Sequence, residues 1–194
     1  MSGTANVPEN MKLPDNLPVP ADDGAAKHLA GMAIPGIALP STHGGPVELD
    51  KLTGRTVVYA YPRTGLPTQV LFVDDWDQIP GARGCTPESC AFRDHYAELL
   101  NAGAQEVFGL STQDTGYQRE AVQRLHLPFA MLSDSGLSLT RALRLPTFRV
   151  RGITLIKRLT LILRDGRIEH VFYPVFPPDG HAEEVLAWLR ANPA

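Results

Sequence analysis

The chain has 194 residues, enough for one large domain or for one domain with extensions. Its hydrophobic content of 43% is typical of a globular protein, and a formal net charge of −3 argues against nucleic-acid binding. No run of about 18 apolar residues occurs, which argues against a membrane-spanning helix.

Residues 1–30 are rich in Pro, Asn, Asp and Ala. They predict an N-terminal extension that is mobile or packs across the surface, followed by one domain over 31–194. The extension lacks the basic start and apolar core of a secretory signal. We therefore expect a cytoplasmic protein, in which a cysteine pair is more often catalytic or redox-active than a permanent cross-link.

The first elements of the predicted domain are strands. Short strands are expected at 37–40 and 47–49, around a glycine turn. Residues 55–61 are β-branched and aromatic, which indicates a buried central strand. Residues 62–84 contain several Gly and Pro and predict a long irregular segment, which in a compact domain is usually functional or disordered.

The remainder of the chain alternates between helices and strands. Helices are predicted over 86–101, 116–125, 137–143 and 181–191, and strands over 105–110, 129–132, 153–163 and 168–173. An Asp-Gly pair between the last two strands indicates a hairpin. This order predicts an α/β fold with a mixed central sheet and helices on both faces.

Both cysteines of the chain, Cys85 and Cys90, lie at the start of the predicted helix 86–101. In the first turn, Cys85 would face unpaired backbone N–H groups and the positive end of the helix dipole, which lower a thiol pKa. Five helical residues rise about 7.5 Å and turn about 140°. A disulfide needs Cα atoms within about 7 Å and converging Cβ atoms. A Cys85–Cys90 disulfide therefore requires the first turns to unwind, which favours a redox switch over a structural bridge.

Two other interpretations of the cysteines remain open at this point. In the first interpretation, the two cysteines are small hydrophobic residues buried in the core. In the second, they are metal ligands, but no third or fourth ligand lies at a spacing typical of zinc. The sequence therefore predicts no metal site.

The residues around the cysteines resemble peroxiredoxins, most closely the peroxiredoxin Q (bacterioferritin comigratory protein) group. Residues 84–94 match that group's motif Gly-Cys-Thr-x-Glu-x-Cys-x-Phe-Arg-Asp. Residues 59–62 and 157–168 are similar to two further stretches of the family. The resemblance covers roughly residues 36–192.

This resemblance implies a thioredoxin-like fold and a thiol peroxidase without a bound cofactor, acting on hydrogen peroxide and organic hydroperoxides. Cys85 matches the peroxidatic cysteine, and Cys90 matches the resolving cysteine that closes an intramolecular disulfide. Arg158 matches the arginine that stabilises the thiolate and the peroxide, because guanidinium is a permanent cation with forked donors. The supporting residues of the motif are Thr86, Glu88 and Arg93.

The resemblance also implies a reductant, which is thioredoxin or a similar dithiol. Resolution by Cys90 needs no second subunit, so a monomer is favoured and a dimer is possible.

The chain departs from the family pattern just upstream of Cys85. Ala82 stands where the family has Thr, Gln78 stands where it has Pro, and residues 63–84 contain an insertion. The hydroxyl that would bind the peroxide is therefore missing. Thr64 on the inserted loop, Thr86 or a backbone N–H are the candidates to replace it.

Two further functions are weighed against the peroxidase. A thiol–disulfide oxidoreductase usually carries Cys-x-x-Cys, which this chain lacks. A non-enzymatic redox sensor would use the same switch to alter a partner surface, with the 63–84 insertion covering the site or forming an interface.

Overall fold

The computed structural model describes residues 13–68 and 72–193. Its strands are β1 (Ala38–Leu39), β2 (Val47–Glu48), β3 (Arg55–Ala60), β4 (Ala104–Ser111), β5 (Met131–Ser133), β6 (Thr147–Val150), β7 (Ile153–Ile156), β8 (Leu159–Arg164) and β9 (Arg167–Phe172). Its α-helices are α1 (Cys85–Asp94), α2 (Tyr96–Asn101), α3 (Thr115–Leu125), α4 (Ser138–Leu143) and α5 (His181–Ala191).

Within the described residues, a five-stranded sheet has the order β5-β4-β3-β8-β9. The β3–β4 and β4–β5 pairs are parallel, whereas β3–β8 and β8–β9 are antiparallel. The mixed central sheet predicted from the element order is therefore confirmed. Two small antiparallel hairpins, β1–β2 and β6–β7, lie outside this sheet.

Each face of the sheet has its own hydrophobic core, because successive side chains of a strand point to opposite faces. On one face, Val58 and Leu161 pack with α4 and with Leu29. On the other face, Val57 and Ile162 pack under α1, α2, α3 and α5. Helices therefore cover both faces, as predicted, and the central strands are buried on both sides.

The predicted helix 86–101 is two helices. His95 separates α1 from α2, with backbone angles of φ −95° and ψ 5° that leave the helical region. The bend keeps both Phe92 of α1 and Leu99 of α2 buried in the same core. The break at His95 thus lets each helix bury its own apolar side chain in that core.

The predicted strand 153–163 is also interrupted. Its first part, β7, pairs with β6, whereas its second part, β8, pairs with β3 and β9. The two halves serve different sheets, so the chain bends at Lys157 and Arg158. Arg158 therefore lies in a bend, whereas the predicted strand 153–163 placed it inside a strand. The strand β6 was not predicted from the sequence.

The segment 62–84 is irregular, as predicted, apart from a 3-10 turn at Trp76–Gln78. Residues 69–71 of this segment lie outside the described residues. Trp76 and Ala82 form a third apolar cluster with Leu155 of β7. The segment is thus fastened to the β6–β7 hairpin.

The predicted N-terminal extension contributes to the main core. Ala26 and Leu29 are buried in the cluster on the α4 face. Residues 1–12 of the extension lie outside the described residues, and the domain boundary at residue 30 stays a prediction. Over residues 13–68 and 72–193, no helix is long and apolar enough to cross a membrane.

Candidate active site

Cys85 is the first residue of α1 and is only 2% exposed. Gly84 precedes it with φ 103°, a backbone conformation that side chains rarely adopt. The Cys85 Sγ lies 3.5 Å from the carbonyl oxygen of Ala82 and 3.2 Å from Nη2 of Arg158. The thiol is therefore a buried group in direct contact with a cation.

Arg158 is held in place by contacts on both sides of its guanidinium. Nη1 donates to Oε2 of the buried Glu88. Nη2 donates to the carbonyl oxygens of Arg83 at 3.0 Å and Gly81 at 3.3 Å. The bend before β8 brings Arg158 to the start of α1, and these partners fix the direction in which it meets Cys85.

Burial and charge act in opposite directions on the Cys85 thiol. Burial raises the pKa of Cys85, and the nearby Glu88 carboxylate raises it further. Arg158 and a hydrogen bond from the backbone of Arg63 lower that pKa. The net direction is upward, so the lowered pKa expected from the helix start is wrong for this closed site. Desolvation of the buried thiolate outweighs the stabilisation by Arg158 and by the backbone of Arg63.

Glu88 is buried beside Arg158 and has a further ionisable neighbour, His181. Burial raises the pKa of Glu88, whereas Arg158 and His181 lower it. His181, at the start of α5, is 1% exposed and lies 2.8 Å from Oγ1 of Thr160 and 2.9 Å from Oε2 of Glu184. No local sequence pattern singles out His181, because only the packing of α5 brings it near Glu88.

Cys90 lies apart from this cluster, further along α1. It is half-buried and lines an open groove of about 730 Å³ together with Pro87 and Phe176. Both cysteines are free thiols, and α1 is continuous from Cys85 through Cys90. The arrangement is the reduced state of a pair that cannot bond without unwinding the helix.

The supporting residues predicted from the sequence divide between the two cysteines. Glu88 lies on the Cys85 side, where it accepts a hydrogen bond from Arg158. Thr86 is half-buried in the first turn of α1. Arg93 lies near Cys90. Burial raises the pKa of the Cys90 thiol, and Arg93 lowers it. Arg93 also donates to Leu125 O at 2.8 Å.

Thr64 is buried, but its hydroxyl is already in use. Its Oγ1 donates to Oε1 of Gln113 at 3.1 Å, and Tyr117 donates to its carbonyl oxygen at 3.0 Å. Among the candidates to replace the missing hydroxyl, a backbone N–H is favoured, because the backbone of Arg63 lowers the pKa of the Cys85 thiol.

The described residues contain no group of three or more His, Cys, Asp and Glu side chains placed to hold a metal. The chemistry available at the Cys85 thiol itself is that of a sulfur nucleophile. The adjacent guanidinium can stabilise both a thiolate and a polarised oxygen of a substrate.

Comparisons with known proteins agree with this geometry. The family described as Redoxin matches residues 29–186. "Peroxiredoxin Q, chloroplastic" from Oryza sativa subsp. japonica is 34% identical over 163 residues, which cover 83% of this chain and 66% of the rice protein. The protein of the same name from Gentiana triflora is 32% identical over 185 residues, covering 92% of this chain and 76% of that relative.

A solved structure has the same fold. The crystal structure of Peroxidoxin BcpB from Mycobacterium tuberculosis aligns with a TM-score of 0.69 and 26% sequence identity. The alignment covers 86% of this chain and 100% of that protein. The thioredoxin-like architecture expected from the sequence is thereby confirmed.

Proposed function

Since the chain belongs to the Redoxin family, and within it to the peroxiredoxin Q group, we propose that it is a thiol-dependent peroxidase with Cys85 as its peroxidatic cysteine. The observation that carries this assignment is the 3.2 Å contact between the Cys85 Sγ and Nη2 of Arg158. A thiol held this close to a fixed cation is suited to attack a peroxide oxygen.

In the first step, the Cys85 thiolate attacks one peroxide oxygen and the O–O bond breaks. The sulfur is oxidised to sulfenic acid, and the other oxygen leaves as an alcohol or water after taking up a proton. Arg158 stabilises the thiolate before the attack and the charge that develops on the leaving oxygen during it. Glu88 serves as a positioning residue, because it holds Nη1 of Arg158.

In the second step, Cys90 attacks the Cys85 sulfenic acid, a disulfide forms and water is released. The first turns of α1 unwind to allow it, since the intact helix keeps the two thiols apart. A dithiol such as thioredoxin then reduces the disulfide by thiol–disulfide exchange.

Peroxide binding in this chain does not rely on the hydroxyl that the family places upstream of the cysteine. Ala82 occupies that position, and the hydroxyl of Thr64 donates to Gln113. In its place, the backbone N–H of Arg63 and the guanidinium of Arg158 donate hydrogen bonds to the peroxide oxygens. Backbone donors are suited to this role because their positions are fixed before the substrate arrives.

A monomer suffices for this cycle, because both cysteines lie on one helix. The rice and gentian relatives are named as chloroplastic proteins. For this chain, the cytoplasmic location and the monomeric state stay predictions, as does thioredoxin as the reductant.

The peroxidase assignment is tested by mixing reduced protein with a small excess of hydrogen peroxide or cumene hydroperoxide and following the loss of thiols. The native chain should lose both thiols rapidly, and Cys85→Ser should not react. Cys90→Ser should react at Cys85 and accumulate sulfenic or sulfinic acid, which mass spectrometry detects. A rate no faster than that of free cysteine would overturn the proposal.

A second measurement separates catalysis from redox sensing. With a thioredoxin, its reductase and NADPH, the native chain should consume many equivalents of peroxide per protein molecule. Oxidation that stops at one disulfide per molecule with every dithiol reductant supplied would favour the sensor.

A further inference from the structure

Residues 13–23, here called the N-terminal strap, run across the entrance to the cysteine site. They precede the part of the chain that matches the Redoxin family, which begins at residue 29. At one end of the strap, Leu13 packs against the start of α1. A Cβ atom added to Gly84 would lie 3.1 Å from Cδ2 of Leu13.

The middle of the strap lies beside the guanidinium of the site and beside the groove of Cys90. Leu17 and Pro18 line a small cavity together with Arg158. Leu13 and Leu17 also line the groove that contains Cys90. A molecule that enters either space meets these side chains.

The last part of the strap lies beside the arginine of the site. Pro20, Ala21 and Asp23 form part of the wall of a cavity of about 370 Å³ that Arg158 also lines. The strap therefore lines all three of these cavities, two of which reach Arg158 and one of which reaches Cys90.

The strap is fastened at Asp23. Its Oδ2 accepts from Nζ of Lys157 at 2.7 Å, and its Oδ1 accepts from the Tyr173 hydroxyl at 2.7 Å. These donors hold the pKa of Asp23 well below its usual range, so the carboxylate stays charged at neutral pH. Lys157 is the residue before Arg158, which ties the fastening to the bend that carries the catalytic cation.

We propose that the N-terminal strap is an autoinhibitory lid, latched by Asp23 on Lys157 and Tyr173. In its closed position it shields Cys85 and braces the first turn of α1 through Leu13. Both peroxide entry and the unwinding of α1 then require the strap to lift. The shielding itself follows from these contacts alone, whereas its effect on turnover rests on the proposed peroxidase function.

A direct consequence is that the strap prolongs the sulfenic acid state of Cys85. Disulfide formation needs the first turns of α1 to open, and the closed strap packs against that part of the helix. A longer-lived sulfenic acid gives a second peroxide more time to oxidise it to sulfinic acid, with loss of a second alcohol or water.

Shielding is tested by alkylation of Cys85 with iodoacetamide in a Cys90→Ser background, as a function of pH. Rate constants extrapolated to the thiolate remove any effect of an altered pKa. Deleting residues 1–20 should raise the rate about tenfold or more, as expected when a local cover is removed. Asp23→Asn should raise it about two- to fivefold, the effect of losing one exposed ion pair.

The matched control is Asp22→Asn, which makes the same charge change one residue away. Asp22 accepts from the backbone of Gly24 and takes no part in the latch. Its alkylation rate should equal that of the parent. Equal rates for the parent, the deletion and Asp23→Asn would overturn the lid.

A final comparison keeps the two proposals distinguishable. With both cysteines present, the deleted chain should form the disulfide faster after one equivalent of peroxide and accumulate less sulfinic acid. If alkylation accelerates but neither chain reacts with peroxide, the lid stands and the peroxidase assignment fails. If both react and the deletion leaves disulfide formation unchanged, the lid does not brace α1 and that part of the proposal is wrong.

Discussion

The state of the Cys85 sulfur depends on a balance between desolvation and a single fixed cation. Burial disfavours the thiolate, and Arg158 is the strongest opposing contribution. Because Arg158 is itself buried and held by Glu88, its charge is poorly screened by solvent. The residue that controls the nucleophile is thus 73 positions away from it in the sequence.

Replacing Arg158 by Ala should therefore raise the pKa of Cys85 and slow peroxide reduction. The thiolate fraction at neutral pH falls about tenfold for each unit of pKa increase. In a plot of reaction rate against pH, the rise should occur at a higher pH than in the parent, because the thiolate is the reactive form. Stopped-flow thiol consumption from pH 5 to pH 10 gives both the rate and the pKa.

Arg164→Ala is the control for this change, since Arg164 pairs with Glu169 on the surface. Its pH profile should match that of the parent. An Arg158→Ala variant with an unchanged profile would contradict the assigned role of the guanidinium.

At the scale of elements, α1 is both the support of Cys85 and the part that must open. Its first turn starts from Gly84, which has φ 103°, and a Cβ atom added there would clash with the ring of Pro178. The 3-10 turn that contains Pro178 thus packs against the start of the helix. This contact defines the reduced position of Cys85.

Gly84→Ala should destabilise the fold by about 2–4 kcal/mol, the sum of backbone strain and overpacking. Gly44→Ala is the control, because Gly44 has φ 67° but nothing within 4 Å of the added Cβ atom. It should cost only about 1–2 kcal/mol of backbone strain. Urea denaturation followed by circular dichroism measures both, and equal losses would show that the Pro178 contact is unimportant.

Elements with local signals could be predicted from the sequence, and those set by distant pairing could not. The strands β3, β4 and β9 and the helix α5 follow from apolar runs and periodicity. The break at Lys157 and Arg158 could not be predicted, because it arises from β7 and β8 joining different sheets.

The same division holds for the candidate site. The motif around Cys85 and the resemblance indicated Cys85, Cys90 and Arg158. His181 and the backbone of Arg63 enter the site only through tertiary packing, and no local pattern marks them. The pKa of Cys85 depends on burial, which a helix-start argument does not contain.

For the whole molecule, stability rests on a sheet that is packed on both faces. Leu161 and Ile162 are neighbours on β8 but belong to different cores. Shortening a side chain on either face of such a strand therefore leaves a cavity in one of the two cores.

Leu161→Ala and Ile162→Ala should each lower the free energy of unfolding by about 2–5 kcal/mol, through lost burial and a residual cavity. Ile153→Ala, on β7, is the control because Ile153 is 45% exposed. Its effect should stay within about 0.5 kcal/mol. If only one of the two β8 variants loses stability, the two-core description is wrong.

The position of β8 in the sheet also bears on the chain while it is being synthesised. β3, β4 and β5 are complete before β8 is made, and β8 then pairs along the free edge of β3. Arg158 leads into β8, so a nascent chain that already contains Cys85 lacks the guanidinium partner of that sulfur. On the ribosome the thiol is an ordinary cysteine, and it acquires its special environment only when the last third of the polypeptide emerges and docks.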